Sequence, residues 1–247
     1  MATISYNQVR VILEKERRFV GMDMSRLDLS RLDFSGCDMR GAKFQYATLK
    51  EANFANANLE NADLNGANLA EADLEFARLV RARLSHAKLH GCRLVEANME
   101  AAILHYTNLT NSDLRMAVLL DADGGSAYFI KTNMTDVNAR DAQFNSTNFN
   151  GAQATRADFG GADMGEANLQ SVSFVQCGFV ATFLNDANLR SALLIESDLT
   201  GAKLRRTDLT NTNFANAILT DADFKGATLY QTNFDGAAMD NVKNLGE

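Results

Sequence analysis

Large apolar residues recur at every fifth position along most of this chain. Between positions 24 and 239, 44 successive centres keep one register, and Leu fills 23 of them, Phe 12 and Met 6. The exceptions are Gly124, Ala139 and Ala154. The residue two places before each centre, from position 37 to 242, is always Ala, Cys, Ser, Thr or Val. We therefore expect two residues in five to be buried, one large and one small.

A spacing of five fits neither regular secondary structure. On a helix, steps of five drift by about 140° each, so no apolar stripe forms. On a strand, an odd spacing sends successive centres to opposite faces. The chain must therefore turn once in each repeat, and we expect stacked coils around one continuous core.

The runs that carry the repeat have a recognisable form. Ala57-Asn58-Leu59, Ala62-Asp63-Leu64 and Ala67-Asn68-Leu69 resemble the A(D/N)LXX motif of the pentapeptide-repeat family. The resemblance covers residues 20–243 and implies an all-β solenoid, a right-handed quadrilateral parallel β-helix of about 11 coils in which residues twenty apart stack. With about 4.8 Å between coils, the rod would be roughly 50 Å long. Small centres such as Gly124 are then expected beside large ones.

The N-terminus predicts a short capping helix. Ser5 or Asn7 is placed to cap a helix that runs to about Arg18, with Val9 facing the first coil. We expect residues 1–19 to form a lid over the core, and a partner-binding helix is the alternative.

Two further segments interrupt or end the repeat. Gly-Gly at 124–125 indicates a bulge or a loop at 123–128 within the β-helix of residues 20–243. Residues 244–247 form a tail without a lid, so we expect the last coil to be open to pairing with a second copy, which gives a homodimer.

Composition narrows the functional classes. The 247 residues carry a net charge of −7 with a pI near 5.1, which argues against direct nucleic-acid binding. No apolar stretch is long enough to span a membrane, and no secretion signal is recognisable. Three Cys are too few and odd in number for a disulfide framework, so a cytoplasmic protein is expected.

No arrangement of residues predicts catalysis. Cys37, Cys92 and Cys177 occupy small inward positions, and Tyr106 is expected to stack over His86 at the surface. Most Asp and many Asn precede a centre, where their side chains can accept hydrogen bonds from turn amides. We therefore expect no enzyme, no cofactor and no metal site.

One stretch is strongly basic. Residues 76–95, FARLVRARLSHAKLHGCRLV, contain no acidic residue and carry +5. A period of twenty would place Asp63 beside Arg83, and Asp73 and Asp113 on either side of Arg93. We expect a ladder of ion pairs, each worth under about 1 kcal/mol. An anion site or a site for an acidic partner is the alternative. The five cations, here named the basic belt, are Arg78, Arg81, Arg83, Lys88 and Arg93.

Apolar residues at outward positions form two candidate interaction groups. The first lies near the Gly-Gly pair, and either a loop at 123–128 covers it or a partner does. The second is expected to form a partner or dimer surface, with three members on one face. The first group is Ile103, Tyr106, Met116, Val118, Leu120, Tyr128 and Ile130; the second is Val175, Phe183, Leu193 and Ile195, of which Phe183 lies on another face.

Two functional hypotheses follow. A rigid rod with a polar surface favours a non-catalytic scaffold that binds a protein partner of unknown identity. The family resemblance implies an alternative, because some of its members mimic DNA, bind bacterial DNA gyrase or topoisomerase IV and give quinolone resistance. The basic belt and the absence of a helix after the last coil are departures from that pattern.

Overall fold

The computed structural model describes residues 4–246, in which one helix precedes a regular coil. Helix α1 spans Tyr6–Lys15. Within the described residues, 42 isolated parallel β-bridges follow, from Arg18–Asp38 to Asp223–Lys243, and each joins residues twenty apart. Every strand is thus a single bridging residue, at the position before a centre. The fold is a four-sided, right-handed β-helix, as the resemblance implies.

One repeat, residues 58–62, shows why the spacing is five. The amides of Asn58, Leu59 and Asn61 donate to carbonyls of adjacent coils at 2.9, 2.7 and 2.9 Å. The Ala62 amide donates to the Leu59 carbonyl at 2.9 Å and closes a turn, in which Asn61 has a φ of +57°. The Glu60 amide donates to Oδ1 of Asn58 at 3.1 Å. All five amides are therefore bonded, and the role predicted for Asp and Asn before the centre is confirmed.

The core is a set of aromatic and aliphatic columns. Phe rings twenty residues apart stack, with centroids 5.1 Å apart for Phe34 and Phe54 and 5.2 Å for Phe159 and Phe179. Rings from different faces meet edge to face, as do Phe144 and Phe149 on successive faces and Phe44 and Phe54 on opposite faces. The centres from Phe19 to Phe224 are buried, so one continuous core runs along the rod.

The expected bulge or loop at 123–128 is absent, because this segment continues the coil. Asp123 bridges residues in both adjacent coils, and so does Tyr128. Position 124 carries a glycine because the core has no room there for a larger side chain. A Cβ on Gly124 would lie 2.7 Å from Cδ1 and Cε1 of Phe144, so that ring fills the space a larger centre would take. The expectation that a large centre neighbours a small one is confirmed at this pair.

Helix α1 covers the first coil. Its cap is Ser5, whose amide donates to Oε1 of Gln8 at 2.7 Å while Oγ of Ser5 accepts from the Gln8 amide at 3.4 Å. Val9 is fully buried against the coil. The helix ends at Lys15 and not near Arg18, because Arg18 already bridges Asp38 in the β-helix.

Candidate interaction surfaces

The first apolar group does not form one surface. Each bridge column defines a face of the rod, and the members of this group belong to different columns. Ile103 bridges Arg83 and Asp123, whereas Val118 bridges Asn98 and Asn138. In the square coil, residues five apart lie on successive faces, so residues that are close in sequence are spread over different faces. Ile103 and Tyr106 lie on one face or its corner, Val118 and Leu120 on a second, Tyr128 and Ile130 on a third, and Met116 at an exposed corner.

Three members of the second group lie on one face, here named the Leu193 face. Leu193 bridges Ser173 and Asn213 and is 39% exposed. Val175 and Ile195 are one coil apart and half-buried, and their carbonyls accept amides of adjacent coils at 3.0 and 2.9 Å. Phe183 lies on another face, where it bridges Asp163 and Lys203. The three residues thus form a small apolar cluster on one face, whose backbone is hydrogen-bonded to the adjacent coils.

The basic belt forms only part of the expected ion-pair ladder. Arg93 pairs with Glu75 and lies 4.0 Å from Asp73, and Arg78 lies 3.9 Å from Glu60. The expected pair of Arg93 with Asp113 is absent, because Asp113 binds Arg115 at 2.7 Å. That contact also lowers the pKa of Asp113 below its ordinary value.

The expected pair between Asp63 and Arg83 is also absent, although the two residues bridge. The carboxylate of Asp63 is occupied by other donors: Nε2 of Gln45 donates to Oδ2 at 2.8 Å and the Asn65 amide to Oδ1 at 3.2 Å. In the part of the chain that the structure describes, Arg81, Arg83 and Lys88 are exposed and form no ion pair.

An aromatic stack lies beside the unpaired cations. The rings of His86 and Tyr106 are parallel, with centroids 5.0 Å apart, which confirms the predicted stack. One coil further on, Nε2 of His105 lies 2.6 Å from Oδ1 of Asp123. The side of the rod near Arg83 therefore combines positive charge with exposed aromatic surface.

The cysteines lie where small inward residues were predicted. Cys37, Cys92 and Cys177 are free and buried. Burial raises the pKa of Cys92 and of Cys177 to about 12, so neither thiol ionises readily. Between residues 4 and 246, no cluster of three His, Cys, Asp or Glu side chains could hold a metal ion. No helix in this range is long and apolar enough to cross a membrane.

Ion pairs at the corners of the coil were missed by the sequence reasoning. Arg156 binds Asp136 at 2.7 Å, and Arg206 binds Asp186 at 2.6 Å. In both cases the partners are twenty residues apart and occupy positive-φ turn positions. Opposite charges twenty residues apart would have predicted these pairs, because residues one coil apart are neighbours at a corner as well as on a face.

Two family models match the sequence, and together they span most of it. The first, described as pentapeptide repeats, matches eight copies, and the second is described as a pentapeptide repeat region. No curated relative matches the sequence. The matched residues are 18–45, 47–85, 77–115, 126–161 and 148–182 for the first model and 167–243 for the second.

Several solved structures have the same architecture. HetL from the cyanobacterium Nostoc sp. strain PCC 7120, a pentapeptide repeat protein involved in the regulation of heterocyst differentiation, is 25% identical over 96% of this chain and 97% of HetL, with a TM-score of 0.69. A thylakoid-lumen pentapeptide repeat protein of Arabidopsis thaliana is 33% identical over 42% of this chain and 69% of its own, at 0.38. QnrB1, a plasmid-mediated fluoroquinolone resistance protein, is 15% identical over 89% of this chain and 90% of its own, at 0.42. The last two TM-scores are too low to bear on function.

Proposed function

The chain belongs to the pentapeptide repeat family, and from that premise we propose that it is a non-catalytic scaffold that binds another protein. The Leu193 face is the contact surface in this proposal. Leu193, Val175 and Ile195 expose apolar atoms on a part of the rod where polar residues normally stand, and apolar clusters on a surface often mark interaction sites.

The rigidity of the rod supports this role. The amides of Leu193 and Leu194 bond to the preceding and following coils, at 2.9 and 2.8 Å, so the backbone of the face is held on both sides. A pre-organised surface loses little conformational entropy on binding, which favours affinity even for a small apolar contact.

The likeness to HetL supports a regulatory purpose for such binding. HetL is involved in the regulation of heterocyst differentiation, and its likeness to this chain extends over nearly the full length of both. We therefore include regulation of the partner in the proposal, and a cytoplasmic location, as the sequence predicts.

The test is affinity capture from a lysate of the native host, with captured proteins quantified by mass spectrometry. The variant is Leu193→Glu and the matched control is Val118→Glu, because both residues are bridging residues before a centre but lie on different faces. We expect a partner that the wild type and the control capture and Leu193→Glu loses. Equal capture by all three folded proteins, checked by circular dichroism, would contradict the role of the Leu193 face.

A second contact is proposed at the C-terminal coil, between two copies of this chain. Leu229, Phe234 and Met239 stand at centre positions but are only partly buried, unlike the centres of earlier coils. A second copy could cover these side chains and pair with the open coil edge.

The DNA-mimic alternative has less support. A mimic of duplex DNA needs a continuous negative surface, whereas Arg81, Arg83 and Lys88 place unpaired positive charge around the rod. A gyrase supercoiling assay separates the two roles, because inhibition at near-stoichiometric protein would favour the mimic.

A further inference from the structure

We propose that Arg81 and Arg83 bind an acidic segment of a partner protein, a short run containing several Asp or Glu residues. This goes beyond the proposed function, because it concerns a different surface from the Leu193 face and a different chemistry. The two arginines lie together at one corner of a single coil. Arg81 is at the turn itself, with a φ of +55°, and Ala82 points into the core. Arg83 is the bridging residue of the face that follows this turn.

The two guanidinium groups differ from the others in the protein. The chain has 16 arginines, all within the described residues. Thirteen form ion pairs with a carboxylate. Another, Arg26, lies over the ring of Tyr46 at 5.9 Å. Arg81 and Arg83 have neither kind of partner in residues 4–246, so their donors face solvent.

The neighbouring coils explain why they are unpaired. Residues one coil before and after Arg81 are Asn61 and Ala101, which carry no charge. Arg83 has Asp63 on one side, but that carboxylate is held by Gln45 and the Asn65 amide. On its other side lies Ile103, which is exposed. Among the described residues, neither arginine at this corner forms an ion pair, whereas nearly every other arginine does.

Planar guanidinium groups with free donors suit carboxylates. Each can make two parallel charge-assisted hydrogen bonds to one carboxylate, and Glu or Asp side chains on a peptide could reach both arginines in turn. Lys88 lies beyond the next corner of the same coil, between the uncharged Asn68 and Asn108, and extends the positive surface.

The negative charge of the rest of the protein favours a short acidic segment over a nucleic acid as the ligand. The positive surface is one coil high, which is about 5 Å, within a protein of net charge −7. At physiological ionic strength, charges are screened beyond about 8 Å, so a peptide held at this corner is shielded from distant carboxylates. A long polyanion would extend along the acidic remainder of the rod and be repelled.

The exposed apolar atoms near the arginines fit a peptide as well. Tyr106 is 52% exposed and rests on His86 in the coil of the two arginines. Together with Ile103, it offers an apolar contact to a residue between the acidic ones, which a polyphosphate backbone would not use.

The experiment measures binding of fluorescein-labelled decaglutamate to the full chain by fluorescence anisotropy in 50 mM NaCl. The variant is Arg81→Gln with Arg83→Gln. The matched control is Lys131→Gln with Lys225→Gln, which removes the same charge from exposed cations of other coils that form no ion pair with residues 4–246. Circular dichroism and thermal melting confirm that both variants are folded, which is expected because all four side chains are exposed.

We expect the wild type and the lysine control to bind decaglutamate with similar affinity and the arginine variant to bind about tenfold more weakly, a difference of about 1.4 kcal/mol. No saturable binding to the wild type, or equal weakening in both variants, would overturn the proposal. A labelled oligo-dT of ten nucleotides is tested in parallel. Tighter binding of that strand than of decaglutamate, lost in the arginine variant, would assign the corner to nucleic acid and contradict an acidic protein segment.

Discussion

The packing of Gly124 against Phe144 allows a sharp test of how this core is built. Replacing Gly124 by Leu would restore the residue type of most centres, but it should destabilise the protein. A Cβ there would lie 2.7 Å from two atoms of the Phe144 ring, well inside van der Waals contact. Combining this change with Phe144→Leu removes the ring and should restore a core of two leucines.

The magnitudes follow from volume. Overpacking by Gly124→Leu alone is expected to lower the free energy of unfolding by about 2–3 kcal/mol. Phe144→Leu alone leaves a small cavity and loses the ring contacts with Phe129 and Phe149, at centroid distances of 5.5 and 5.3 Å, for about 1–2 kcal/mol. The double variant should lie within about 1 kcal/mol of the wild type, so the two changes are coupled by about 2–5 kcal/mol.

Equilibrium urea unfolding followed by circular dichroism measures this cycle, and thermal melting should show a shift of about 4–10 °C for Gly124→Leu. The control cycle combines Gly124→Leu with Phe54→Leu, because Phe54 stacks on Phe34 several coils away and cannot share the space. Additive effects in the Phe144 cycle would refute the reasoning, and so would equal coupling in both cycles.

Two further predictions concern the last coils. Burial raises the pKa of Asp223, but hydrogen bonds from Asn244, Arg205 and the Lys225 amide outweigh it and lower the pKa to about 2. The ionised Asp223 carboxylate therefore stabilises the folded state fully above pH 4, and this stabilisation is lost as pH falls from about 4 to 2. We expect Asp223→Asn to lower the free energy of unfolding, measured in urea, by about 2 kcal/mol at pH 7 and by about half of that at pH 3. For the proposed dimer, light scattering should give twice the chain mass for the wild type and a single mass for Phe234→Glu, and a wild-type monomer at micromolar concentration would contradict it.

Much of the fold was predictable because burial and backbone bonding both follow the repeat. The centres and the small residues were read from size alone, and the bonding of Asn58 to the Glu60 amide follows from side-chain chemistry. The Gly-Gly pair misled for a physical reason. A glycine pair usually signals a special backbone conformation, whereas Gly124 satisfies a volume constraint set by Phe144, twenty positions later.

The candidate surfaces were less predictable, because charge pairing depends on which of several neighbours a side chain contacts. The period of twenty correctly placed Asp63 beside Arg83. It could not show that Gln45, which is eighteen residues before Asp63, would donate to the same carboxylate. Pairs eighteen residues apart recur elsewhere, as between Arg140 and Asp158 at 3.2 Å.

Ion pairs between coils of this fold therefore occur at more than one spacing, and eighteen and twenty residues are the common ones. At eighteen residues before Arg81 and Arg83 stand Asp63 and Asn65, and at eighteen after them stand Met99 and Ala101. At twenty, Asp63 appears again and is the sole acid. At these two spacings one carboxylate is thus available to two guanidinium groups, and it is already hydrogen-bonded by uncharged donors. The excess positive charge at this corner consequently follows from composition and coil geometry together.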